Sequence, residues 1–297
     1  MDPLVLAGLG FATMLGLIAF HVPIGIAMGF VGVGGFAMVV GWGPALSLLA
    51  SEPAATLTNL NLAVIPLFML MGNLAAAAGL ANDVYNIAHA FIGHRKGGLA
   101  TATVLGCGGF GAVCGSGVAT TATFGRVALP EMLDRGYAPS LATGAIAAGG
   151  TLGIIVPPST IMVLYAILTE QFVVELFTAA LIPALIAIVF YAGAVRLSLV
   201  INPEAATSIE RLSMRRRFAE LRKGWGVVFL SVVVLGGIYS GIFTVNEAAA
   251  VGVVVSFAFL IARKGINRKE LSAVLVSAAT ATAMIYIMVF GATIFSY

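Results

Sequence analysis

Gly106-Cys-Gly-Gly-Phe-Gly-Ala-Val-Cys-Gly-Ser-Gly-Val-Ala-Thr-Thr-Ala-Thr-Phe-Gly125 is the stretch on which the fold turns. It carries no charged residue and lies inside the longer apolar run Leu99 to Gly125. Its midpoint, Cys114 to Gly117, is too rich in glycine to continue a helix comfortably, and hydroxyls at Ser116, Thr120, Thr121 and Thr123 follow at once. The pattern predicts a helical hairpin turning within an apolar phase. Such a turn frees backbone carbonyls and amides that need partners. A bound cation can satisfy the carbonyls, and an anionic group can satisfy amides at a helix start. Small residues also let helices pack closely, which is the plainer use for any one of these glycines. The density of the cluster favours a site, with Cys114, Gly115, Ser116, Gly117 and Thr120 as its candidates.

Outward from the hairpin, the whole chain is built for an apolar solvent. Of its 297 residues 60% are hydrophobic and 9% charged, with a mean hydropathy of +1.08, whereas a soluble chain carries about 25% charged residues. Apolar runs near the ~20 residues that a helix needs to cross a bilayer recur throughout, which a signal peptide does not explain. They are Leu4 to Phe20, Ile24 to Trp42, Leu57 to Leu80, Leu99 to Gly125, Leu141 to Leu168, Phe172 to Val195, Trp225 to Phe243, Ala248 to Ala262 and Leu271 to Tyr297. The fold class is therefore an all-α polytopic membrane protein.

Lys and Arg fall in four patches: Arg95 with Lys96, Arg126 with Arg135, Arg196 through Lys223, and Arg263 through Lys269. If Arg215, Arg216 and Arg217 are cytoplasmic and Leu99 to Gly125 is a re-entrant hairpin, every basic residue falls inside. Asp2, Glu52, Glu170, Glu175 and Glu247 then fall outside, and the N-terminus is periplasmic. A single crossing by Leu99 to Gly125 would place Arg95 and Lys96 opposite Arg126 and Arg135, so the hairpin is preferred. The net charge of +3 comes from these loops and reports topology and attraction to anionic lipid headgroups, not a nucleic-acid face.

A linker from about Asn202 to Gly224 divides the chain into residues 1–200, with hairpin 99–125 and broken helix 141–168, and residues 225–297. The second part repeats the topology of the first upside down, an arrangement that places substrate and ion sites at the repeat interface. On that reading the second repeat is truncated, because the sequence stops at Tyr297 inside an apolar segment.

A second break is expected at Gly153-Ile-Ile-Val-Pro-Pro-Ser-Thr160, where consecutive prolines remove two backbone donors. Pro157, Pro158 and Ser159 join the candidate site, since discontinuous helices line ion and substrate pathways; a packing kink is the alternative. Asn59, Asn61 and Asn73 suit interhelical hydrogen bonds. Gly106, Gly108 and Gly111 spell G-x-G-x-x-G without a preceding strand, the Walker pattern is absent, and G-x-S-x-G fails at Cys114. His21, His89 and His94 have no metal-ligand pairing, and Cys107 and Cys114 have no redox or metal spacing. No resident cofactor or enzymatic centre is indicated. A secondary transporter leads, ahead of a non-transporting membrane scaffold or assembly subunit and an intramembrane enzyme.

Several ordered motifs sharpen this reading. Ile65-Pro-Leu-Phe68, Arg95-Lys-Gly-Gly-Leu99, Cys114-Gly-Ser-Gly-Val-Ala-Thr-Thr-Ala-Thr-Phe-Gly125, Leu129-Pro-Glu-Met132, Arg135-Gly-Tyr137, Gly153-Ile-Ile-Val-Pro-Pro-Ser159 and Gly237-Ile-Tyr-Ser-Gly-Ile-Phe-Thr244 run the length of the chain. Together they resemble the large membrane subunit of tripartite ATP-independent periplasmic (TRAP) transporters, the DctM-like family. That resemblance implies an elevator-type permease of the bacterial inner membrane, driven by a sodium gradient. It also implies a small four-helix membrane subunit and a periplasmic binding protein as partners, and carboxylate substrates such as C4-dicarboxylates or sialic acids. By match to the family's first hairpin, a sodium site is implied at Cys114, Gly115, Ser116 and Gly117. The family usually has serine where Cys114 stands, which leaves the backbone carbonyl as the ligand there. The usual Thr-Pro-x-Glu-Ala has become Thr244-Val-Asn-Glu-Ala248, without its proline.

Overall fold

The computed structural model describes residues 3–208 and 210–297; Asp2, assigned to the outer side above, lies outside them. Every regular element among them is helical. Four helical stretches are long and apolar enough to cross a membrane, Leu60–Ala77, Val173–Ile201, Val245–Lys264 and Arg268–Ser296, or up to six if each of two bent pairs is one span.

The chain divides into two compact units, residues 1–63 with 279–297, and residues 64–278. The first contains α1 (Pro3–Ala19), α2 (Ile24–Val40), α3 (Trp42–Thr58) and the end of the last helix, α14 (Arg268–Ser296). Glycines bring α2 and the end of α14 together. A Cβ on Gly25 would lie 2.5 Å from the Ile287 carbonyl oxygen, and one on Gly32 would lie 2.8 Å from that of Ile294. Only small residues permit this backbone-to-backbone approach, where dispersion and lipid release replace the hydrophobic effect. Phe11 and Phe295 meet edge to face, and the Tyr286 hydroxyl donates to the Leu62 carbonyl at 3.2 Å.

Helix α3 fills the stretch between the apolar runs that end at Trp42 and begin at Leu57. Pro44 sits in its first turn, where a missing N–H costs nothing. Ser47 and Thr58 donate to carbonyls of their own helix, at 3.0 Å to Gly43 and 2.9 Å to Ala54. Glu52 and Pro53 break the apolar run without breaking the helix. The asparagines also divide. Asn59 accepts from the backbone N–H of Asn61 at 3.0 Å, a local turn, whereas Asn73 accepts from Ser277 of α14 at 3.4 Å.

The second unit holds α4 (Val64–Ala77), α5 (Leu80–Ile92), α6 (Gly98–Cys114), α7 (Gly117–Asp134), α8 (Pro139–Ile155), α9 (Thr160–Leu168), α10 (Val173–Ile201), α11 (Met214–Lys223), α12 (Trp225–Tyr239, with a π turn at Val232–Gly236) and α13 (Val245–Lys264). Helices α6 and α7 fold back on each other as the glycine-rich stretch predicts. The Leu99 N–H donates to the Tyr137 hydroxyl at 3.2 Å, so the chain leaves the hairpin beside the point where it entered. The stretch after Asn202 docks there too: Ala138 donates to the Ala205 carbonyl at 2.9 Å, and Thr207 donates to that of Arg135 at 2.7 Å. Helix α8 lies across the hairpin through glycines. Gly149 faces Cys107, Gly150 faces Thr121, and a Cβ on Gly111 would lie 3.0 Å from the Gly153 Cα.

Candidate ion and substrate site

Helix α6 ends at Gly115, whose φ of +63° is a left-handed conformation that favours glycine. Its N–H donates to the Gly111 carbonyl at 3.0 Å. Ser116 is extended and caps α7, its Oγ accepting from the Ala119 N–H at 3.4 Å. The whole turn is these two residues. In the second break α8 closes with Val156 donating to Leu152 at 2.8 Å, Pro157 and Pro158 offer no donors, and Ser159 caps α9 by accepting from the Met162 N–H at 3.4 Å. Helices α8 and α9 are bent by 45° across it.

The two breaks touch. The Gly115 carbonyl accepts from the Thr160 N–H at 3.2 Å and from the Thr160 hydroxyl at 3.0 Å. A Cβ on Gly115 would lie 2.6 Å from the Pro158 carbonyl oxygen. Two helix N-termini, those of α7 and α9, therefore start beside buried backbone of the opposite break. Helix-start amides and carbonyls of both breaks are thus gathered in one place.

Each expected residue has a definite place here. Gly115, Pro158 and Thr160 meet directly, and Ser116 stands next to Gly115 at the turn. Thr120 lies one turn into α7, fully buried; its hydroxyl makes no hydrogen bond of ordinary geometry, although the weakly bonding thiol of Cys114 is near. A Cβ on Gly153 would lie 2.5 Å from the Thr120 Oγ1 and 2.9 Å from the Ser116 carbonyl oxygen. Cys114 turns towards α4, where its carbonyl oxygen would be 2.8 Å from a Cβ on Gly72. Gly117 packs against Ile154 and the Gly150 carbonyl, a close-packing use. Ser159 is buried and bonds within its own helix cap. Thr160 is the addition to the expected set. Only the hydroxyl following Pro-Pro-Ser hinted at it.

Away from the breaks, His89 acquires a setting that its isolation in the sequence did not suggest. Its Nδ1 lies 3.8 Å from Glu131, which also pairs with Arg135 at 3.0 Å. Burial pushes the imidazole below its ordinary value, opposed by Glu131 and assisted by Arg135.

Residues 11–297 match the family model described as "Tripartite ATP-independent periplasmic transporter, DctM component". The chain belongs to the DctM family. DctM relatives include the C4-dicarboxylate TRAP transporter large permease protein of Pseudomonas aeruginosa, 37% identical over 84% of this chain and 58% of its own length. The corresponding protein of Rhodobacter capsulatus is 34% identical over 100% of this chain and 69% of its own. The ectoine TRAP transporter large permease protein of Halomonas elongata is 31% identical over 96% and 67%. The chain thus spans between 58% and 69% of these relatives' lengths. As a DctM member it is a multi-pass membrane protein of a transporter family, not an enzyme.

Proposed function

We propose that this chain forms the ion-binding part of the permease subunit in a sodium-coupled TRAP system that takes up small organic acids. The meeting of the two breaks at Gly115 and Thr160 carries this reading. Backbone polar groups at two discontinuous helices are costly in an apolar phase and are kept where they line a site; a scaffold subunit has no use for them. Sodium would be held by backbone carbonyls of Cys114 through Gly117, with Thr120 as the side-chain oxygen and the Pro157-Pro158-Ser159 break as the opposite wall. The names of the relatives support carboxylate substrates, C4-dicarboxylates first. Residues 1–200 and those from 225 onward would be inverted repeats of an elevator, with 201–224 as the linker. In the bacterial inner membrane, Glu52, Glu170, Glu175 and Glu247 would face the periplasm, as would the N-terminus, and Arg95, Arg135, Arg215 and Lys264 the cytoplasm. A small four-helix membrane subunit and a periplasmic binding protein would complete the system.

The test is uptake of a labelled C4-dicarboxylate into proteoliposomes containing the full-length protein with both partners. Accumulation under an inward sodium gradient and none under an equal potassium gradient is expected. Equal uptake under both overturns sodium coupling.

A further inference from the structure

Helix α11 shares one face with the protein and leaves two others outside. Arg217 faces inward: it is 4% exposed, its Nε donates to the Leu212 carbonyl at 3.1 Å, and its guanidinium lies 5.9 Å over the Phe91 ring. Gly224, which ends the helix, packs against Ile87 of α5. About a quarter-turn round the helix runs a stripe of large apolar side chains, Met214, Phe218 and Leu221, at the i, i+4, i+7 spacing that keeps them on one face. They are 57%, 61% and 47% exposed, and Trp225, which opens the next helix, is 58% exposed. Burying such side chains away from water is favourable, so this stripe asks for an apolar phase.

Its basic neighbours narrow the choice. Arg215, Arg216 and Arg222 are exposed and have no carboxylate within ion-pair distance among the described residues. Glu220, the one acid of the helix, is already paired with Lys223 at 2.7 Å. Position is fixed by covalent continuity. Gly224 alone separates α11 from the apolar helix α12, and the two axes diverge by 41°. With the apolar run that opens at Trp225 taken as the crossing part of that bent pair, α11 stands one residue from its end and close to the bilayer surface, and a tryptophan at the junction is a common marker of that depth.

We infer that α11 is an interfacial helix that inserts Met214, Phe218, Leu221 and Trp225 into the acyl boundary of the bilayer while Arg215, Arg216 and Arg222 bind anionic lipid headgroups. Arg217 anchors it to α5 from the other side, so the helix couples the lipid surface to the second compact unit. The inference is independent of what the chain transports.

Single cysteines at 214, 218 and 221, and at 216, 219 and 223, carry spin labels in the full-length protein; native Cys107 and Cys114 are buried. The protein is reconstituted in vesicles of phosphatidylcholine alone or with phosphatidylglycerol. Relative accessibility to oxygen over an aqueous nickel chelate is expected to be at least about threefold higher at the first three positions than at the second three. Labels at 214 and 218 sit deeper when phosphatidylglycerol is present, and Arg215→Gln with Arg222→Gln removes that difference. Symmetric vesicles make the result independent of the side assigned to α11. Six chelate-accessible labels overturn the inference. Labels at 214, 218 and 221 shielded from both probes overturn it in favour of a protein partner. Equal depth in the two vesicle types refutes the headgroup assignment.

Discussion

Replacing Thr120 by valine separates a structural hydroxyl from an ion ligand, because the two roles predict opposite changes. The two side chains share shape and β-branching, so packing is preserved. Thr120 is fully buried and its hydroxyl has no ordinary hydrogen-bond partner. A buried polar group left unsatisfied costs about 1–3 kcal/mol. Without sodium, Thr120→Val should therefore unfold no earlier than the wild type, and up to that amount later. Sodium should stabilise the variant less than it stabilises the wild type. Loss of an oxygen facing a charged ligand is worth about 1.5–3 kcal/mol, a weakening of roughly 10- to 100-fold. At a sodium concentration 100 times the wild-type Kd, ligand stabilisation of about 2.7 kcal/mol would fall to about 1.4–0.4 kcal/mol. Thermal unfolding of the purified full-length protein in sodium and in potassium reads both quantities. A variant that is less stable in potassium yet shows the full sodium shift would refute the reasoning, since the hydroxyl would then be structural.

Two further outcomes follow from the same contacts. Ser116→Ala should raise the sodium concentration for half-maximal uptake more than Ser256→Ala, because Ser116 stands at the turn while Ser256 is buried within the uninterrupted helix α13; it should also cost about 1 kcal/mol of stability as a lost helix cap. Gly25→Ala should destabilise by about 1–3 kcal/mol through overpacking against the Ile287 carbonyl, whereas Gly29→Ala, with 3.7 Å to the Gly291 Cα, should stay within about 0.5 kcal/mol in thermal unfolding.

The hairpin was legible to within a residue or two because only glycine and serine interrupt an otherwise helical run at Gly115 and Ser116. The Pro157-Pro158 break was legible for a similar reason: two missing donors in an apolar stretch leave little choice. Helix α3 was not, since Glu52 and Pro53 lower its apolarity without preventing its backbone bonds. The partnership of Gly115 with Thr160 spans 45 residues, and no local pattern encodes which breaks meet. Glycines 25, 29 and 32 read equally well as a packing seam or as lipid-facing helix until the end of α14 is set beside them. Arg217 looked like one more loop charge, yet its side chain is buried. Burial of a single arginine in a basic run depends on which face its helix turns inward.

The central claim is that an ion binds where the two breaks meet, and equilibrium binding of radioactive sodium to the full-length protein tests it most directly. Thr160→Val keeps the backbone N–H on the Gly115 carbonyl and removes the hydroxyl bond at 3.0 Å, an interaction worth about 0.6–1.4 kcal/mol. The account predicts saturable binding by the wild type, weakened about three- to tenfold in Thr160→Val and lost in Gly115→Ala, whose Cβ would meet the Pro158 carbonyl. Undiminished sodium affinity in both variants, with their folding intact, would contradict it.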